Sequence, residues 1–243
     1  MTVTLQSNIH SSIGINSATL TVNGFNFYIY ATSLSSAGSN TSGTTVFYLS
    51  GTGSGSNVNI SAVAVMYNNI VINTPGSVTF TNNVVWAGTS FVYTAGNVKT
   101  QTFNFQPNVQ NAPVLDTNGM VFNNFVPQAG SGTVSLNSPL TMGNFTLNTG
   151  IMDCKFTGSY SWTATTLNLN TYNPVGQRQG LGLQAGLTYT VTGTMSIIPA
   201  SNTGNIFGIR SLTPGVKTNF VFTGNNQQTN IYMIGDNVDS SGG

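Results

Sequence analysis

Apolar and polar residues alternate with a period of two along most of the chain, and no stretch of a dozen residues keeps the 3.6-residue period of a helix with good helix formers. The pattern predicts strands. The clearest pair is Ala18 to Val22 and Phe25 to Ile29 around Asn23-Gly24, the preferred two-residue type I′ turn. Paired antiparallel as a hairpin, Leu20 meets Phe27 and Val22 meets Phe25 on one face, while Thr19, Thr21, Asn26 and Tyr28 take the other. Further strands are predicted around Val46 to Leu49, Val58 to Tyr67, Val78 to Phe80, Val84 to Trp86, Phe91 to Tyr93 and Thr102 to Phe105. The Ser/Gly-rich segments 33–45 and 51–57 lack periodicity and read as loops.

In the second half, Met152, Cys154 and Phe156 alternate with Asp153 and Lys155, which puts the thiol on the apolar face and the charges on the wet one. Leu187, Tyr189, Val191, Met195 and Ile197 alternate with Thr188, Thr190, Thr192, Thr194 and Ser196 in one long strand with a buried face. Phe220 and Phe222, then Ile231 and Met233, supply the last strands before the polar tail 239–243. Pro107, Pro113 and Pro127, with Gly130 and Gly132, interrupt the pattern, so the expected division is one β-sandwich over 1–112 and another over 113–243, or a single extended sandwich with a long crossover at 107–132. Val98-Lys99-Thr100 before Phe103 and Phe105 echoes Val216-Lys217-Thr218 before Phe220 and Phe222, as a duplication would.

Composition narrows the function. Of 243 residues, 39% are hydrophobic and 10% aromatic, enough for a core, yet only 4% are charged, against about a quarter in ordinary soluble domains. Lys99, Lys155, Arg178, Arg210 and Lys217 stand against Asp116, Asp153, Asp236 and Asp239, for a net charge of +1. Five scattered cations make no basic stripe, which argues against nucleic acid as a partner. A near-neutral surface tolerates close packing against copies and points to an assembly component. No stretch approaches the roughly 18 apolar residues of a membrane span, and the first residues, Met-Thr-Val-Thr-Leu-Gln-Ser, carry no basic and apolar leader pattern. With a surface of Ser, Thr, Asn and Gly, this predicts a virion or extracellular setting.

The chemistry-bearing inventory is thin. With four Asp, no Glu and one His, a general acid/base pair has few sources, and His10 has no second His or nearby carboxylate to work with. Cys154, the only cysteine, reads as a small core hydrophobe and excludes an intrachain disulfide. Asp236 and Asp239 with Asn237 are too few ligands for a Ca²⁺ cage. No catalytic, metal or cofactor residues are expected, and the chain reads as a non-enzyme. Asn40-Thr-Ser, Asn59-Ile-Ser and Asn144-Phe-Thr match the glycosylation acceptor pattern, which arises by chance in such sequence. Trp86, Tyr160, Trp162 and Tyr172 are the candidate sugar-binding aromatics, each with a flat apolar face, against the plain alternative that they fill a core. The Thr188-to-Thr194 row resembles the Thr rows of ice-binding proteins, although a single row is also the ordinary exposed face of a sheet.

The stretch 180–236, with Gly186-Leu-Thr-Tyr-Thr-Val-Thr-Gly-Thr-Met195, Leu212-Thr-Pro-Gly-Val-Lys-Thr218, Phe220-Val-Phe-Thr-Gly224 and Thr229-Asn-Ile-Tyr-Met-Ile234, resembles the jelly-roll modules of phage tail fibres, viral capsid or spike proteins and carbohydrate-binding modules. That resemblance implies an antiparallel jelly-roll-like β-sandwich, one or two in tandem. It also implies a virion structural protein (capsid, spike, fibre or decoration subunit) that self-associates and meets other virion proteins. The alternative is an adhesin or carbohydrate-binding module taking a cell-surface glycan.

Overall fold

The computed structural model describes residues 3–5, 12–16, 20–21, 27–29, 33–37, 41–42, 46–49, 57–62, 69–80, 84–99, 104–128, 131–148, 153–171, 178–199, 206–227, 233–236 and 238–239. These form β1 (Val3–Leu5), β2 (Ser12–Asn16), β3 (Leu20–Thr21), β4 (Phe27–Ile29), β5 (Ser33–Ala37), β6 (Thr41–Ser42), β7 (Val46–Leu49) and β8 (Asn57–Ala62). Then come β9 (Asn69–Phe80), β10 (Val84–Trp86), β11 (Ser90–Lys99), β12 (Asn104–Pro107), β13 (Val114–Asp116), β14 (Val121–Phe125), β15 (Ser131–Leu136) and β16 (Leu140–Leu147). The series ends with β17 (Asp153–Gly158), β18 (Trp162–Thr171), β19 (Arg178–Leu183), β20 (Thr188–Pro199), β21 (Ile206–Ser211), β22 (Thr218–Phe222), β23 (Asn225–Gln227), β24 (Met233–Asp236) and β25 (Val238–Asp239).

From β9 to β22, successive strands alternate between two sheets, and each from β9 to β20 is hydrogen-bonded to the strand two places on, while β21 pairs β24 and β22 pairs β25. Sheet A runs β1-β4-β7-β9-β11-β13-β15-β17-β19-β21-β24, with β2, β5 and β8 beside it; sheet B runs β10-β12-β14-β16-β18-β20-β22-β25, with β23 against β20. All described strand pairs are parallel. From β9 to β22 the chain therefore winds as a two-sheet solenoid, one strand per sheet per turn, whereas β1 to β8 repeat every three strands, two of them in sheet A and the third in the β3–β6 pair. Each turn covers its predecessor at about 4.8 Å.

This corrects the antiparallel jelly-roll sandwich expected from the sequence. Period-two alternation reports that one face of a strand is buried and is silent on the direction of its neighbour, so it fits a parallel coil equally well. The Asn23-Gly24 hairpin is corrected with it. Leu20–Thr21 pairs in parallel with Thr41–Ser42, whereas Phe27–Ile29 lies in sheet A between Val3–Leu5 and Val46–Leu49. Asn23 and Gly24 themselves lie outside the described residues. Both ladders continue through 107–132: β11 pairs β13 and β13 pairs β15 in one sheet, while β12 pairs β14 and β14 pairs β16 in the other.

The inward residues of the two sheets make one core, and its aromatic members touch from turn to turn. Trp86 stacks on Phe105 at 5.6 Å and Phe105 on Phe122 at 4.6 Å. Contacts then lead through Phe105–Phe125, Phe125–Phe145, Phe145–Trp162 and Trp162–Tyr189, with Phe220 6.2 Å from Trp162. All of these rings are buried. Offset and edge-to-face pairs at such distances contribute about 0.5–1.5 kcal/mol each beyond area burial, which compensates for short strands that could not form a stable sheet alone. A 3-10 turn, Val109–Asn111, packs next to β15, where Gly132 leaves room for it: a methyl group there would collide with the Val109 carbonyl oxygen.

Candidate interaction face

The nine charged residues are not shared evenly between the sheets. Lys99, Asp116, Asp153, Lys155, Arg178, Arg210 and Asp236 all belong to sheet A strands, Lys217 to the turn before β22, and Asp239 to β25. Sheet B from β10 through β23 has no charged residue. On the sheet A side, Asp153 Oδ2 lies 2.7 Å from Arg210 Nη2 and 3.3 Å from Lys155 Nζ.

Sheet B presents ladders of uncharged hydrogen-bonding side chains instead. Val121, Thr141, Thr163, Thr190 and Val221 stand in register across five strands, and Asn124, Asn144, Thr166 and Thr194 across four. A third row runs Thr146, Asn168, Ser196. Amides tie the rows along the axis: Asn144 Nδ2 donates to Asn124 Oδ1 at 2.8 Å, Asn168 Nδ2 to Thr146 Oγ1 at 3.3 Å, Asn170 Nδ2 to Asn148 Oδ1 at 3.1 Å and Asn219 Nδ2 to Thr188 Oγ1 at 3.3 Å. In each case the later turn donates to the earlier one. Between the rows, the strands carry two consecutive residues that are not buried, Asn123-Asn124, Gly143-Asn144 and Thr165-Thr166, flanked by buried Phe122 and Phe125, Met142 and Phe145, Ala164 and Leu167. This extra residue returns the following side chain to the core, and β20 needs one more, so the β18–β20 register shifts between Ala164 and Thr166.

The aromatics singled out as sugar platforms separate. Trp86 and Trp162 are buried in the ring chain of the core and offer no face to a ligand, whereas Tyr160, 43% exposed, stands on the turn between β17 and β18. Tyr172 lies outside the described residues, as do His10 and Asn237. Trp86 and Trp162 face inward because they occupy the apolar phase of their strands. Cys154 is fully buried, and desolvation, then the neighbouring Asp153 carboxylate, push its thiol far above the ordinary value. Burial also raises the Tyr189 phenol to about 12, against the opposing effect of the Gln184 backbone N–H donated to its oxygen at 3.0 Å. Among the described residues no group of three His, Cys, Asp or Glu is placed to hold a metal ion, and no helix is long and apolar enough to cross a membrane.

The Thr and Asn ladders escaped the sequence reading because their members are scattered at unequal intervals. Val121 meets Thr141 20 residues on, Leu140 meets Trp162 after 22, Thr163 meets Thr190 after 27 and Thr188 meets Asn219 after 31. The signal that could have found them is the aligned set Val121-Phe-Asn-Asn-Phe125, Thr141-Met-Gly-Asn-Phe145 and Thr163-Ala-Thr-Thr-Leu167. A scan against protein-family models, a search of curated proteins and a search of solved structures each give no match to the chain.

Proposed function

We propose that the chain is a virion structural protein, a shaft segment of a fibre or spike, which acts by self-association through its low-charge β surfaces. The observation that carries this reading is that both sheets grow along one axis by parallel addition of strands. The eleven strands of the sheet A path span about 48 Å at about 4.8 Å per step, the geometry of a spacer rather than of a cleft. The 4% charged content supports close packing with neighbours, and the reading assigns the chain no catalytic step. Electron microscopy of the purified protein, with antibody labelling of particles from its source, tests the proposal. Rods, and label on the particle surface, are expected; compact globules, or label confined to free cellular protein, would overturn it.

A further inference from the structure

We infer that the outer face of sheet B is where a second copy of this chain docks, sheet B against sheet B. The inference rests on the reading of the chain as a self-associating shaft, and names the surface through which it associates.

Three observations converge on that face. The first is charge: no strand from β10 through β23 in sheet B holds a charged residue, so two copies can approach through it with no charge to desolvate and no like-charge repulsion. Sheet A, with seven of the nine charged residues and the Asp153, Lys155, Arg210 cluster, does not have that property. The second is self-complementarity. A two-fold interface sets the same patch against itself, so every donor in the patch must find an acceptor in the patch. Thr, Ser and Asn each carry both, whereas a patch of Lys or of Asp does not. Thr141, Thr163 and Thr190 also present methyl groups, in one row with Val121 and Val221, and give the face an apolar stripe beside the hydrogen-bonding rows.

The third is size. The strands β10, β12, β14, β16, β18, β20 and β22 have 3, 4, 5, 8, 10, 12 and 5 residues. At about 3.3 Å per residue and about 4.8 Å per strand, their plane covers about 740 Å². A stable interface of standard size buries about 800 Å² on each partner. The face therefore matches what one copy needs.

The test is the mass in solution of the full chain by sedimentation velocity across a concentration series, with exposed positions on the face changed to lysine. The chain should run at twice its 25.5 kDa mass. Thr163→Lys with Thr192→Lys, both exposed on sheet B, should weaken the dimer at least tenfold, whereas Thr157→Lys on a sheet A strand should leave it unchanged. Unchanged circular dichroism marks each variant as folded, and Asn219→Lys, exposed on β22 of the same face, replaces the sheet B double variant if that does not fold. A wild-type monomer at every concentration, or a dimer that the sheet B lysines leave intact, overturns the inference. So does a monomer whose sheet B lysines abolish binding to a neutral polysaccharide. Rods in the microscope with a monomeric mass would sink this docking face alone; globules would sink the shaft reading beneath it.

Discussion

Arg210 reaches past Gly180 to Asp153, two strands away in sheet A, with Nη2 2.7 Å from Oδ2. A methyl group at position 180 would lie 2.6 Å from Arg210 Nη1 and 2.8 Å from Asp153 Oδ1. Gly180→Ala, which in an unconstrained strand would stabilise the chain, should instead lower stability by about 0.5–1 kcal/mol, the scale of a half-exposed ion pair. Urea midpoints check this. In an Arg210→Ala background the same substitution should cost less, and an equal cost in both backgrounds would assign the penalty to the backbone.

The chain of rings sets a second expectation. Phe145 touches Phe125, Phe156 and Trp162, so Phe145→Ala should lose about 3–5 kcal/mol through the cavity it leaves. Trp162 should be more forgiving of a smaller ring. Its Nε1 is buried with no hydrogen-bond partner among the described residues, so Trp162→Phe discards an unsatisfied donor along with some packing and should cost clearly less than Trp162→Ala. Thermal melts of the two variants decide it.

Alkaline pH should loosen the fold. Unfolded Tyr189 ionises near its ordinary value of 10.0 and the folded residue near about 12, so between those values the unfolded chain binds fewer protons and stability falls as pH rises. One proton corresponds to a slope of about 1.4 kcal/mol per pH unit. The raised Cys154 thiol adds a loss of the same sign, beginning above its ordinary 9.0. Denaturant midpoints between pH 8 and pH 12 should decline, and Tyr189→Phe should flatten the decline above pH 10.

Cys154 reports on the core by its kinetics. It stands in register between Gly132 and Leu181, fully buried, so native labelling with a thiol reagent should proceed only as fast as the solenoid opens locally. Urea should accelerate it in step with unfolding. Fast labelling in native buffer would show that β17 is not held as described.

Strand positions were legible where burial of one face leaves its mark on every second residue, but not in the segment 33–45, which was expected to be a loop and holds the strands Ser33–Ala37 and Thr41–Ser42, whose Ser/Gly-rich sequence carries no such mark. Val46–Leu49 and Val84–Trp86, short apolar runs between turn residues, have the bounds expected of them, and Cys154 is buried as its alternation with Asp153 and Lys155 requires. Partners were not legible. A strand such as Leu140–Leu147 has the same inward Leu140, Met142, Phe145 and Leu147 whether its neighbour comes from a hairpin or from the next turn. Asn23-Gly24 carried a strong local turn preference, which can mark a chain reversal but cannot specify which strand will accept the hydrogen bonds on either side. The sheet B face was hidden further, since it exists only once turns of 20, 22, 27 and 31 residues are brought into register.

Because the backbone of each turn from β9 to β22 is hydrogen-bonded to the turns before and after it, the length of this molecule is adjustable in whole steps. Val121 and Thr141 occupy the same place one turn apart. Excising residues 121–140 would remove one strand from each sheet and set Phe145 where Phe125 had been, over Phe105, with the inward and outward phases of every later strand preserved. A cut of half that length would reverse which sheet each later strand joins. A gene built this way can change the reach of its product by adding or dropping single windings, while the winding itself stays the same.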